Sequence, residues 1–174
     1  MSPTKLEKSP RPSLQGPRLE NAGSFLVAGL RRHYAEDRIS NIPAQWQQFV
    51  GYLDRIPGRI GRTTYGVCLN PINGAAGIDY LSGVEVSCSA GFPLPDDLGV
   101  VTIPAQLYAV FVHRGHVSQL RDSLDAIWQK RLQESGYEVG FASTESPVFF
   151  ERYTDGFDSR TASGEVELWI PIKS

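Results

Sequence analysis

Apolar and polar positions settle into two recurring patterns between residues 24 and 172. Short runs that are apolar throughout or alternate with polar residues predict strands over 24–34 (SFLVAGLRRHY), 63–69 (TTYGVCL), 80–87 (YLSGVEVS), 107–113 (LYAVFVH), 147–153 (PVFFERY) and 165–172 (EVELWIPI). Helical spacing takes over in 43–53, where Trp46, Phe49, Val50 and Leu53 fall at i, i+3, i+4 and i+7. Pro43 suits the first turn of that helix, where a missing N–H leaves nothing unpaired. A second helix is predicted over 117–132, with Leu120, Leu124, Ile127, Trp128 and Arg131 along one side and Gly136 just beyond its end.

The order strand, helix, strand, strand therefore occurs twice, split by a proline- and glycine-marked connector at 91–99 (GFPLPDDLG). SGVEV at 82–86 and SGEVEL at 163–168 echo one another across the halves. A single βαββ unit buries its core poorly, so two are expected to pack about a pseudo-twofold axis. The expectation is an α+β fold: a duplicated βαββ motif, antiparallel sheets enclosing a central cleft, and two long helices. Its halves are placed at about 19–90 and 100–174, after a flexible leader at 1–18.

Charge and composition narrow the possibilities. Hydrophobic residues make up 41 % of the 174 and charged residues 21 %, enough for a packed core. Lys5, Lys8, Arg11 and Arg18 stand against Glu7 alone in 1–18, and the net charge of −2 then leaves the remainder at −5. An acidic body is a poor match for nucleic acid, so no direct nucleic-acid partner is expected. No apolar run reaches the ~18 to 20 residues of a spanning helix, and the N-terminus has no signal-like apolar region. Cys68 and Cys88 are too few for a disulfide framework, which points to reduced thiols and a cytoplasmic location.

Several kinds of chemistry find no support. His33, His113 and His116 have no cysteine or carboxylate partner at ligand spacing, so no metal site is expected. Asp155 and Asp158 lack the further ligands of a calcium loop. Neither a phosphate-binding nor a dinucleotide glycine fingerprint occurs, and no cofactor is expected.

Taken together, IPAQWQQF at 42–49, YGVCLN at 65–70, SGVEV at 82–86, IPAQLYAVFVHRG at 103–115, AIWQKRLQESGYE at 126–138, PVFFERY at 147–153 and EVELWIPI at 165–172 resemble the GyrI-like small-molecule-binding domain. That domain serves as the effector-binding part of AraC- and MerR-type transcription regulators and also occurs alone. The resemblance covers about residues 18 to 172 and implies the same duplicated fold. It also implies a pocket lined by aromatics around a buried acidic residue in the penultimate strand, receiving lipophilic cations in several members. The matching position is Glu151. With only a short segment ahead of the domain, no helix-turn-helix unit is expected, and the chain reads as a stand-alone drug- or effector-binding protein.

The residues themselves agree with such a pocket. Strand alternation puts Phe149, Glu151 and Tyr153 on one side and Val148, Phe150 and Arg152 on the other. A carboxylate between two aromatic rings suits a cationic or planar aromatic ligand, because the π faces attract positive charge and the carboxylate balances it. An exposed edge strand, with Glu151 paired to a lysine or arginine, fits the same alternation. Tyr65 shares a face with Val67 and Leu69 and is expected to approach the cleft opposite Phe149; Tyr108 shares one with Val110 and Val112. Trp46 and Trp128 lie on helical stripes that also suit core packing. Trp169 shares a face with Glu165 and Glu167, which suits a rim, a cleft or a partner surface, and equally a covered position under a loop. The expected ligand set is Glu151, Phe149, Tyr153, Tyr65, Tyr108 and Trp46. Two alternatives use the same features. Glu151 with a raised pKa can act as general base in a hydrolase of cyclopropane-bearing toxins, an activity the resemblance implies for some members. The acidic body and Trp169 can instead serve a protein partner, DNA gyrase or a regulator.

Overall fold

The computed structural model describes residues 12–87 and 93–174. Lys5, Glu7, Lys8, Arg11, Cys88 and the start of the 91–99 connector lie outside the described residues. The described residues form one antiparallel sheet of eight strands: β1 (Ser13–Ala22), β2 (Phe25–Tyr34), β3 (Arg59–Leu69), β4 (Ile78–Val86), β5 (Leu98–Ile103), β6 (Gln106–His116), β7 (Phe149–Asp158) and β8 (Ser163–Pro171). Helix α1 (Ile42–Val50) follows β2, and α2 (Leu120–Ala126) follows β6. The latter continues through a π-helical turn (Ile127–Arg131) into α3 (Leu132–Ser135), with Gly136 left-handed at the cap.

The spatial order is β1-β6-β8-β7-β3-β4-β2-β5. Exchanging each strand of one half for its counterpart reverses that order, so the pseudo-twofold runs between β3 and β7. The expected duplication is present, with two differences. The halves share one continuous sheet rather than facing each other as two, and each half carries an additional leading strand. Those strands, β1 and β5, are exchanged: β1 pairs with β6 of the second half and β5 with β2 of the first.

Both added strands are edges, which explains why the pattern hid them. β1 occupies part of the segment expected to be a flexible leader; its sequence SLQGPRLENA is mostly polar and carries Pro17, which an edge strand tolerates. Arg131 fastens it, donating from Nη1 to the Leu14 carbonyl at 3.1 Å and from Nη2 to that of Gly16 at 2.7 Å. β5 overlaps the end of the connector. β7 also runs past Tyr153, the end of the predicted strand, to Asp158 through a bulge.

Both helices cover one face of the sheet. Phe49 of α1 packs on Ala28, Leu30, Val84 and Val86, and Leu120 and Ile127 pack on Ala109, Phe111, Val166, Leu168 and Ile170. The stripe expected on α1 is rotated: Val50 is 62 % exposed, and the polar Gln45 is buried instead. Residues on the other face, among them Tyr65, Val67, Tyr108, Val110 and Phe150, form a third cluster.

Candidate functional site

The central pair β3–β7 lies between the two helical covers. Its register matches Gly66 with Glu151, Thr64 with Tyr153 and Cys68 with Phe149, putting these residues on the helical face. A Cβ at position 66 would collide with the Tyr80 hydroxyl and with Oε1 of Glu151, so glycine makes the space the carboxylate occupies. β4 supplies Tyr80, the partner of Cys68 in the β3–β4 register.

Glu151 is 5 % exposed, and its Oε1 accepts from both Tyr80 Oη and, at 3.0 Å, Tyr153 Oη. Trp46 Nε1 donates to Tyr80 Oη at 3.1 Å, and its ring meets Tyr153 edge-on with centroids 5.3 Å apart. Trp46 thus lies across the two tyrosines that hold the carboxylate. Gln45 fixes the helix that carries it. Its Nε2 reaches the Leu30 carbonyl (2.8 Å), the Tyr80 carbonyl (3.0 Å) and Ser82 Oγ (3.0 Å), while its Oε1 accepts from Tyr34 Oη at 2.6 Å.

Burial pushes the Glu151 carboxyl up to about 7, against the opposing effect of the two tyrosine hydrogen bonds. Burial first, and the Glu151 charge second, push the Tyr80 and Tyr153 hydroxyls well above their usual value. The Cys68 thiol is driven up to about 12, chiefly by burial, so it is inert rather than nucleophilic. No lysine or arginine acts on Glu151 among the described residues. It is a buried carboxylate without a countercharge.

Of the expected ligand residues, Glu151, Tyr153 and Trp46 come together. Phe149 shares their face but packs beneath the second helix, 6.4 Å from Trp128. Tyr65 and Tyr108 lie on the opposite face of the sheet. Tyr65 packs 5.4 Å from Phe25 and 6.1 Å from Phe150, so it does not oppose Phe149. Tyr108 lies 5.5 Å from Phe150 and donates to the Pro104 carbonyl at 2.7 Å. The reason is register: direct partners share a face, and Tyr65 is matched with Arg152, not Glu151.

Sequence reasoning missed Tyr80, Gly66 and Gln45. Gly66 carried a signal, since a glycine inside a strand marks a close approach. Tyr80 carried none that separated it from other strand aromatics. Among the described residues no cluster of three metal-ligating side chains occurs; His113 is buried and bonded to Ser123 Oγ at 2.7 Å.

The chain matches the GyrI-like small-molecule-binding domain over residues 16–173 and belongs to that family. It is 31 % identical over 157 residues to the transcriptional regulator BrlR of Pseudomonas aeruginosa. That match covers 89 % of this chain and 54 % of BrlR, so the chain spans about half the length of this curated relative. Among solved structures, SAV2435 bound to tetraphenylphosphonium is similar, with a TM-score of 0.70 at 22 % identity over 91 % of this chain and 94 % of that one. The integron cassette protein VCH_CASS2 of Vibrio cholerae follows with a TM-score of 0.66 at 16 % identity, over 93 % and 99 % of the two chains. At these identities the likeness establishes the fold. No helix among the described residues is long and apolar enough to cross a membrane.

Proposed function

We propose that this domain binds a lipophilic cation over Glu151, between α1 and the second helix. The observation that carries this reading is a buried carboxylate with no cationic partner among the described residues, held by tyrosines and overlain by tryptophan. A cation would supply the missing countercharge, and the Trp46, Tyr80 and Tyr153 rings would add π attraction. A solved relative of the same fold is bound to tetraphenylphosphonium, an ion of this class. Entry requires Trp46 to swing away, which breaks its one hydrogen bond to Tyr80 and leaves the Gln45 anchor in place. Phe149 and Trp128, on the same face, would form the far wall.

Fluorescence titration with tetraphenylphosphonium, neutral triphenylphosphine oxide and tetraphenylborate tests this. The phosphonium is expected to bind best, and Glu151→Gln to weaken it by about tenfold or more while sparing the neutral compound. Because the cation favours ionised Glu151, its Kd should rise about tenfold for each unit the pH drops below 7 and stay level above. Equal binding of cation and anion, or indifference to Glu151→Gln, rejects the reading.

A carboxyl titrating near neutrality also suits a general base, the specific observation favouring a hydrolase. Turnover of a cyclopropane-bearing aromatic compound, lost in Glu151→Ala, would establish that activity in place of simple binding.

A further inference from the structure

Alternate residues of β7 serve different faces of the sheet, and the face away from Glu151 has a cavity of its own. Its volume is about 290 Å³, and its walls come from β1, β2, β3, β7 and β8. One end is aromatic. Phe150 and Trp169 stack with centroids 5.3 Å apart and planes 18° from parallel, while Phe25 lies 5.4 Å from Tyr65 and 6.0 Å from Phe150.

The other end is polar, and its donors outnumber its acceptors. Glu167 accepts from Arg18 Nη2 at 2.9 Å on Oε1, and from Arg152 Nη1 at 2.9 Å and Trp169 Nε1 at 3.1 Å on Oε2. Burial alone would raise the Glu167 pKa, but the bonds from Arg152, Trp169 and Arg18 outweigh it and hold the carboxylate below its usual range. Glu167 is therefore already satisfied as an acceptor. Each guanidinium carries five N–H donors. Arg18 spends one further donor on Glu20 at 3.0 Å, at the half-exposed rim, and Arg152 bonds the Tyr65 hydroxyl. Donors remain on both arginines. The Tyr65 oxygen, while accepting from Arg152, keeps its own proton to give.

A cation entering here would meet two arginines and two carboxylates, Glu20 and Glu167, both already taken by those arginines. A neutral aromatic would fill the apolar end and leave the donors unanswered. An acceptor-only group joined to a flat ring answers both ends, and a carboxylate matches the guanidinium fork. We propose that this cavity is a second ligand site that takes a planar aromatic carboxylate, its ring among Phe25, Tyr65 and the Phe150–Trp169 pair and its oxygens on Arg152 and Arg18. The ligand displaces Glu20 from Arg18 and leaves Glu167 bridging the two arginines. This site has the opposite charge preference to that of Glu151, and the two are separated by the thickness of one strand.

Isothermal titration of the full chain with 2-naphthoate and its neutral amide, 2-naphthamide, tests the assignment. Saturable binding of naphthoate, about tenfold or more tighter than the amide, is expected from charge-assisted bonds to two arginines. Arg152→Lys keeps the charge but loses the fork, and Arg18→Gln lies on an exposed edge strand. Each should weaken naphthoate about fivefold or more while leaving the circular dichroism spectrum unchanged. If Arg152→Lys disturbs folding, Arg18→Gln gives the same reading alone. Glu151→Gln should not alter naphthoate affinity, so this outcome stands or falls separately from cation binding. No saturable binding of naphthoate, equal binding of acid and amide, survival of affinity in a folded Arg18→Gln, or loss of affinity in Glu151→Gln would each overturn the proposal.

Discussion

Glu151 is ionised with difficulty because it is buried, and the consequence reaches folding as well as binding. With its carboxyl raised from about 4.5 to about 7, the folded chain holds a proton that the unfolded chain releases. Stability from this group is therefore greatest at low pH, declines as pH rises from about 4.5 through about 7, and is flat above. The full loss is on the order of 3 kcal/mol. Urea unfolding of wild type and Glu151→Gln across pH 5 to 8 should show the decline in wild type and a much shallower one in the variant. Parallel curves would mean that the carboxyl is not the titrating group. Gly66 illustrates the same residue-scale logic in reverse, since the missing Cβ is what admits the Tyr80 hydroxyl and the carboxylate to one spot.

At the scale of elements, α1 is held to the sheet by one buried amide as well as by its apolar face. Gln45 joins the β2 carbonyl of Leu30 to the β4 carbonyl of Tyr80, and receives Tyr34. Gln45→Ala leaves those buried groups unpaired and is expected to destabilise the domain by about 2 to 3 kcal/mol in urea unfolding. A loss below ~0.5 kcal/mol would show that water replaces the amide without penalty. The helical stripe of 43–53 was legible from spacing, yet its rotation was not. Spacing identifies a face without saying whether a polar neighbour has partners, and Gln45 is buried because four such partners converge on it.

The whole molecule depends on exchange between its halves. β1 completes the sheet beyond β6 and carries Arg18 into the second cavity, while β5 does the equivalent service for β2. Removing residues 1–22 would bare the β6 edge and free Arg131 from Leu14 and Gly16. The expected result is a Tm lower by about 10 °C or more, at roughly 2–4 °C per kcal/mol for a domain of this size, together with a tendency to associate. Unchanged Tm in a monodisperse truncated chain would show β1 to be an accessory strand.

Local pattern by itself determined the six inner strands, the two helical segments, the duplication and the alternation that turns Glu151 and Tyr153 one way and Phe150 and Arg152 the other. Those features follow from periodicity along a continuous stretch of chain, which is visible without knowing any partner. Tertiary structure alone decided which strands are neighbours. That choice made one sheet of two expected ones, recruited the polar edges β1 and β5, and matched Gly66 rather than Tyr65 to Glu151. It also sent Tyr65 and Tyr108 away from the carboxylate and brought Tyr80, from another strand, onto it. The physical reason is that a strand's two faces are written in its own sequence, whereas the residue that meets each face is fixed by hydrogen-bond register between segments far apart in the chain.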